Sequence, residues 1–263
     1  MASAMASSQS HLDLVQLLIV VVMTMTMLVG GGEALSLDYY AKSCPKAEAA
    51  VAAAVKQAMA KDRTVPAGLL RLHFHDCFVR SGGPSWQVPV GRRDGRVSLA
   101  SETTTALPGP TASFDQLKQA FHGRGMSTKD LVVLSGGHTL GFAHCSSFQN
   151  RIQPQGVDPA LHPSFAATLR RSCPPNNTAR SAGSSLDPTS SAFDNFYYRM
   201  LLSGRGLLSS DEALLTHPKT RAQVTLYAAS QPAFFRDFVD SMLRMSSLNN
   251  VAGEVRANCR RVN

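Results

Sequence analysis

Arg71-Leu72-His73-Phe74-His75-Asp76-Cys77 sets a guanidinium, two imidazoles, a carboxylate and a thiol within seven residues. The run before it, Pro66-Ala67-Gly68-Leu69-Leu70, is apolar, so the polar groups ride on an element that also faces a core. Read as a helix from about Pro66 to Val79, this element places Arg71 and His75 four apart on one face. A fixed cation and a titratable base then point into the same space, and what fills that space decides the fold.

Four readings compete for the stretch. His73, His75, Asp76 and Cys77 are all zinc-ligand types, but the two histidines are two apart and face different ways on a helix. Cys77 with His75 as base has the parts of a thiol nucleophile and the same misfacing. A structural helix with satisfied polar groups needs no site at all. The fourth reading pairs the stretch with Ser135-Gly136-Gly137-His138-Thr139-Leu140-Gly141, where two glycines let the backbone turn sharply and present an imidazole. One histidine then ligates a metal centre while the Arg71/His75 face works on its other side. That division suits peroxide cleavage. His75 accepts a proton from peroxide and returns it to the leaving oxygen, and Arg71 stabilises the charge that develops as the O–O bond breaks. A ligating His138 calls for a carboxylate on its other ring nitrogen.

Outward from these two sites the pattern is helical. Ala47 to Ala60 is alanine-rich with Val51, Val55 and Met59 at spacing four, which predicts an amphipathic helix. Ser113 caps a helix over Phe114–Phe121. Ser127-Thr128-Lys129-Asp130 has the form of a capping box. Residues 142–151 read as a helix continuing from the His138 turn, and 152–192 as loop with one short helix near Pro163–Arg171. Phe193–Leu202, a short element opened by Ser209-Ser210-Asp211-Glu212, Lys219–Ala229 and Ala233–Met245 complete the helices. No strand ladder is evident, so the expected fold is mainly α. At Arg80 the character changes abruptly into the turn-rich run from Ser81 to Gly95, with no linker between.

Leu12 to Val29 is largely apolar, and Gly32 and Ala34 are small residues at the two positions a signal peptidase reads. Residues 1–34 therefore read as a secretory signal, although Lys and Arg are absent before Lys42. A retained membrane anchor is the other reading, with an apolar core at the short end for a span. Cleavage removes Asp13 and Glu33 and lifts the formal net charge from +8 to +10. No basic-aromatic motif accompanies that charge, which excludes a nucleic-acid reading and leaves a solvated basic surface or attraction to acidic cell-wall polysaccharide. Asn176-Asn177-Thr178 is a glycosylation acceptor in a secreted chain. Cys44, Cys77, Cys145, Cys173 and Cys259 make an odd count for such a chain.

Ser43-Cys44-Pro45, the stretch Leu70–Val79, Gly82–Asp94, Leu107-Pro108, Asp130–Gly141, Phe193-Asp194-Asn195, Leu208–Asp211 and Asn258-Cys259-Arg260 occur together and in this order. In these motifs the sequence resembles the secretory plant heme peroxidases (class III). The resemblance implies an all-α fold of helices around a heme cleft over residues 35–263. It implies reduction of hydrogen peroxide with one-electron oxidation of small phenols by a secreted monomer of the cell wall, apoplast or vacuole, with no stable membrane span. By the same resemblance His75 is the distal acid and base, Arg71 the transition-state stabiliser and Phe74 the shield of the heme edge. His138 is the axial ligand of heme b, Asp211 its hydrogen-bond partner, and Pro108 lines the phenol-docking edge. A proximal calcium ion is implied at Thr139, Asp187, Thr189 or Ser190, the Ala192 carbonyl and Asp194.

One departure stands out. In the family a Gly-Cys-Asp segment and a long helical block follow the position of Val79, whereas here Arg80 runs straight into Ser81. That block supplies most distal calcium ligands, leaving Asp76 as a remnant, and the groups that orient the distal histidine. Cys145 and Cys173 resemble one intact family disulfide, while Cys44, Cys77 and Cys259 resemble halves of three others. Each lost bridge costs ~2–5 kcal/mol against a domain stability of ~5–15 kcal/mol. The sequence thus also admits a catalytically impaired peroxidase-like protein that binds heme or wall polyanions.

Overall fold

Eight α-helices appear among the residues described by the computed structural model, which are 35–62, 65, 83–97, 99–102, 107–153, 156–175, 182–248, 253–258 and 260–263. They are α1 (Ala47–Lys61), α2 (Phe114–His122), α3 (Thr128–Ser135), α4 (Pro163–Ser172), α5 (Phe196–Leu202), α6 (Ser209–Ala213), α7 (Pro218–Ala229) and α8 (Gln231–Ser246). None of the described helices is long and apolar enough to cross a membrane. The described chain from Ser36 onward forms one compact unit.

Local chemistry sets most helix starts. Ser113 and Gln116 form a reciprocal capping box on α2, and Ser127 with Asp130 does the same on α3. Proline in the first turn opens α4, α7 and α8. α5 begins three residues later than its apolar run, because the Asp194 carboxylate accepts the Phe196 N–H at 2.8 Å and Asn195 becomes the cap.

Burial, by contrast, is uneven. α3 carries Asp130, Leu131, Val132 and Val133 fully inside, with α2, α7 and α8 packed on it. Around it Phe193, Tyr197, Tyr198, Tyr227, Phe234 and Phe238 interlock edge-to-face and tilted in the main core. A smaller core gathers Phe148, Ile152, Leu161, Leu169, Leu207 and Leu208 beside the Cys145–Cys173 disulfide. The amphipathic expectation for α1 is not met: the helix forms, but none of its residues is buried and Val51 is 45% exposed. Alanine supplies the helix propensity there while contributing little surface worth burying.

Residues 142–151 are not a helix. Gly141 takes φ +106°, a left-handed conformation open to glycine, and ends the preceding turn. Phe142–His144 (β1) then pairs antiparallel with Gly183–Ser185 (β2), with Ala143 opposite Ser184. Two 3-10 turns, Cys145–Ser147 and Gln149–Arg151, follow. The absent strand ladder of the sequence reading is thus corrected by one short pair. Isolated bridges join Ser36 to Val90 and Asp94 to Glu254, so the run from Gly83 to Val97 touches both ends of the described chain.

Candidate functional site

α3 tightens at its C-terminus into a 3-10 turn, Gly136–Thr139, which carries His138. Gly136 serves close packing rather than a left-handed turn. Gly136 has φ −59°, and a Cβ there would lie 2.4 Å from the Tyr198 hydroxyl and 2.6 Å from the Phe234 ring. His138 Nδ1 lies 2.8 Å from Asp211 Oδ1, across 73 residues of chain. Asp211 sits in α6 and is 2% exposed, whereas the His138 side chain is 38% exposed. Its Oδ1 also accepts the Tyr197 hydroxyl at 2.9 Å, and its Oδ2 accepts the Leu208 N–H at 2.9 Å. The Tyr197 ring meets the imidazole edge-on at 5.8 Å.

These contacts fix the protonation pattern. Burial pushes Asp211 upward, but the neighbouring His138 and the donors from Leu208 and Tyr197 hold it below the usual carboxylate range. Burial likewise lowers His138, and the Asp211 carboxylate more than restores it. Burial and the Asp211 charge raise Tyr197 well above an ordinary phenol, so it remains a donor. In the neutral ring the buried anion favours the proton on Nδ1, which leaves Nε2 as the nitrogen available to a ligand. An imidazole held this way fits the axial ligand of a metal centre.

One residue further on, Thr139 is fully buried and donates from Oγ1 to Asp187 Oδ2 at 2.7 Å and towards Asp194 Oδ1 at 3.1 Å. Thr189 Oγ1 reaches the same two carboxylates at 3.1 and 3.2 Å. Of the two hydroxyls the sequence left open, Thr189 is therefore the one bonded to both acids. Ser190 contributes its carbonyl, which accepts the Gly141 N–H, and the Ala192 N–H bonds Thr189 O. Burial first, and then the Asp194 charge, push Asp187 up to about 6 despite the threonine hydrogen bonds. Neither acid has a basic partner among the described residues. Two crowded carboxylates with hydroxyls and carbonyls fit a hard cation with oxygen ligands. No group of three or more His, Cys, Asp or Glu that could hold a metal ion gathers among the described residues, and the zinc reading of His73, His75, Asp76 and Cys77 falls outside them.

Pro108 is exposed and lines a shallow open cleft of about 500 Å³ with Leu107, Gln116 and Arg124. His138 does not line that cleft. The two regions are joined through Pro110, whose carbonyl accepts the Ser210 N–H of α6 at 2.9 Å. Cys145 and Cys173 are bonded as expected, and Cys44 is a free, exposed thiol. Arg71, Phe74, His75, Asp76, Cys77, Cys259, the Asn176–Thr178 acceptor and residues 1–34 lie outside the described residues. Sequence reasoning missed Tyr197 and Leu208 as partners of Asp211, and Arg151 beneath them. Tyr197 lies two residues after the Phe193-Asp194-Asn195 motif, and only the folded geometry shows where its hydroxyl goes.

Comparison with known proteins points to one family. A family model described as peroxidase matches residues 79–230. Peroxidase 64 of Arabidopsis thaliana is 44% identical over 316 residues, covering 95% of this chain and 98% of that protein. Peroxidase 66 of the same plant is 38% identical, covering 88% of this chain and 92% of its own length. Cationic peroxidase SPC4 of Sorghum bicolor is 35% identical over 86% of this chain and 81% of its own. The 316-residue match with Peroxidase 64 is longer than this chain's 263 residues, so that relative carries positions with no counterpart here.

Proposed function

The chain belongs to the plant class III peroxidase family, a group of heme oxidoreductases that use hydrogen peroxide, and from that premise we propose how its own residues divide the work. His138 presents Nε2 to the heme iron. Asp211 holds the Nδ1 proton and raises the basicity of the ring. Bound heme supplies the iron at which the O–O bond of peroxide is cleaved and through which electrons are drawn from a donor. Arg71 stabilises negative charge on the leaving oxygen, and His75 moves the proton from one peroxide oxygen to the other. Phe74 covers the heme edge, and Pro108 borders the approach of small phenols.

The observation that carries this reading is the 2.8 Å contact of His138 Nδ1 with a buried Asp211 that Tyr197 and Leu208 also hold. Calcium is assigned to the oxygen cage of Thr139, Asp187, Thr189, Ser190, Ala192 and Asp194, next in the chain to the proposed ligand. Asp76 is the remnant of a second calcium site. The block without counterpart is placed between Arg80 and Ser81, where the composition breaks. Residues 1–34 are the secretory signal, and the mature chain acts as a monomer outside the cell or in the vacuole, with its basic surface near acidic polysaccharide. Matches running along most of the chain favour the enzyme over a non-catalytic heme or polyanion binder.

The deciding experiment is expression of the mature chain through a secretory pathway, addition of hemin and calcium, and measurement of the Soret band and of guaiacol oxidation by peroxide. A Soret band with turnover is expected. A Soret band without turnover sinks the enzymatic reading, and no Soret band sinks the assignment of His138.

A further inference from the structure

We propose that Arg151 is a positioning residue for the Asp211–His138 pair, acting through the backbone run Gly206–Leu208 to hold the carboxylate on the imidazole. The inference rests on the assignment of His138 as the iron ligand and extends it to a residue far from the heme-facing atoms.

Arg151 is the largest fully buried side chain of the described residues, and it sits in no regular helix. Its Nε donates to Asp158 Oδ2 at 2.8 Å. Its Nη1 donates to the carbonyls of Gly206 and Leu208, at 2.5 and 3.1 Å. Its Nη2 faces Glu212 Oε2 at 3.7 Å, beyond a direct hydrogen bond. A buried guanidinium spends its fork donors where geometry must be fixed, and two of these acceptors are backbone carbonyls on one short run.

That run is where Asp211 hangs. Leu208 is the cap of α6, and its carbonyl accepts the Asp211 and Glu212 N–H groups. Its own N–H donates to Asp211 Oδ2 at 2.9 Å. Arg151 therefore grips the same residue that orients the carboxylate. The two gripped carbonyls belong to the peptides on either side of the Leu207–Leu208 peptide, which carries that N–H. If this short run shifts, the N–H leaves Oδ2, and Oδ1 is no longer aimed at His138 by two fixed donors. In the chain Arg151 stands between Phe148 and Ile152, both buried in the smaller core beside Cys145–Cys173. Glu212 adds a second negative charge beside Asp211, and Arg151 offsets it.

The test uses the hemin-loaded chain and two readouts other than turnover: the ferric/ferrous midpoint potential and the ferrous iron–histidine stretching frequency. Arg151→Met is expected to raise the potential and lower the frequency, in the direction of Asp211→Asn and by less. Arg151→Lys is expected to fall between Arg151→Met and wild type. The double variant R151M/D211N is expected to match Asp211→Asn alone, since both changes act on one hydrogen bond. Wild-type potential and frequency in Arg151→Met, with only a lowered Tm, overturn the proposal, as does a double variant whose shifts simply add. If Arg151→Met does not fold, Asp158→Asn loosens the guanidinium at a partly exposed anchor. The same directions of shift are expected for it, and no shift overturns the proposal. A wild-type chain that never develops a Soret band overturns the iron-ligand assignment and this inference together. A wild-type band with unshifted variants overturns this inference alone.

Discussion

α1 and α3 are both helices, and they hold nothing else in common. α1 runs for 15 residues with none buried, while α3 runs for 8 with four buried. Propensity alone accounts for the first. The second exists because a capping box starts it, apolar neighbours cover it, and α8 neutralises its carboxylate. Asp130 Oδ1 accepts Arg244 Nη2 and Ser241 Oγ, both at 2.6 Å, while Oδ2 accepts from Ser127. The region built on α3 is thus over-determined and the N-terminal helix under-determined. The block proposed to be missing after Arg80 would account for that asymmetry, since α1 would retain its local signals and lose a partner.

The comparison can be broken or sharpened by substitution. Leu131→Ala in α3 removes a side chain that is 1% exposed and is expected to cost ~2–5 kcal/mol, read as a lowered urea midpoint. Cys145→Ala with Cys173→Ala opens a loop closed over 28 residues and is expected to cost about 3–4 kcal/mol, measured against the disulfide-bonded wild type. Asp211→Asn keeps the shape of the proximal side and weakens the acceptor for His138, so heme affinity or turnover is expected to fall about 10–100-fold in a hemin titration.

Acid supplies the next test. Burial raises Asp130, yet Arg244, Ser241 and Ser127 together lower it from 3.8 to about 2. A carboxylate depressed in the folded state stabilises above its unfolded pKa and loses that stabilisation as pH falls through the folded value. About 2 kcal/mol is therefore expected to vanish between pH ~4 and ~2, and Asp130→Asn is expected to flatten that part of the stability curve. The smallest effect belongs to α1, where Val51→Ala is expected to change stability by less than about 0.5 kcal/mol. A Val51→Ala cost near that of Leu131→Ala would show that α1 has a buried partner in solution.

The reach of the sequence follows the range of the interactions. The caps at Ser113 and Ser127 are written within four residues of their helices, and both appear where expected. The His138–Asp211 pair and the Thr139–Asp187–Asp194 cage span long stretches of chain, and they were legible only because their motifs resemble a known family. The strand at Phe142–His144 was not legible. Its partner lies about 40 residues away, and the glycine conformation that starts it has no periodic signature. Arg151 was hidden for a related reason, since the sequence places it at the end of an expected helix, where an arginine ordinarily stays solvated.

Asp130 also orders events in time. Its cap forms within its own turn, but its charge partner Arg244 follows 114 residues later. At ~5–20 residues per second of synthesis, roughly 6–23 seconds separate the making of the carboxylate from that of its guanidinium. The helix leading to His138 is therefore completed only once α8 has been made, and a chain cut short before α8 leaves Asp130 without Arg244 and Ser241.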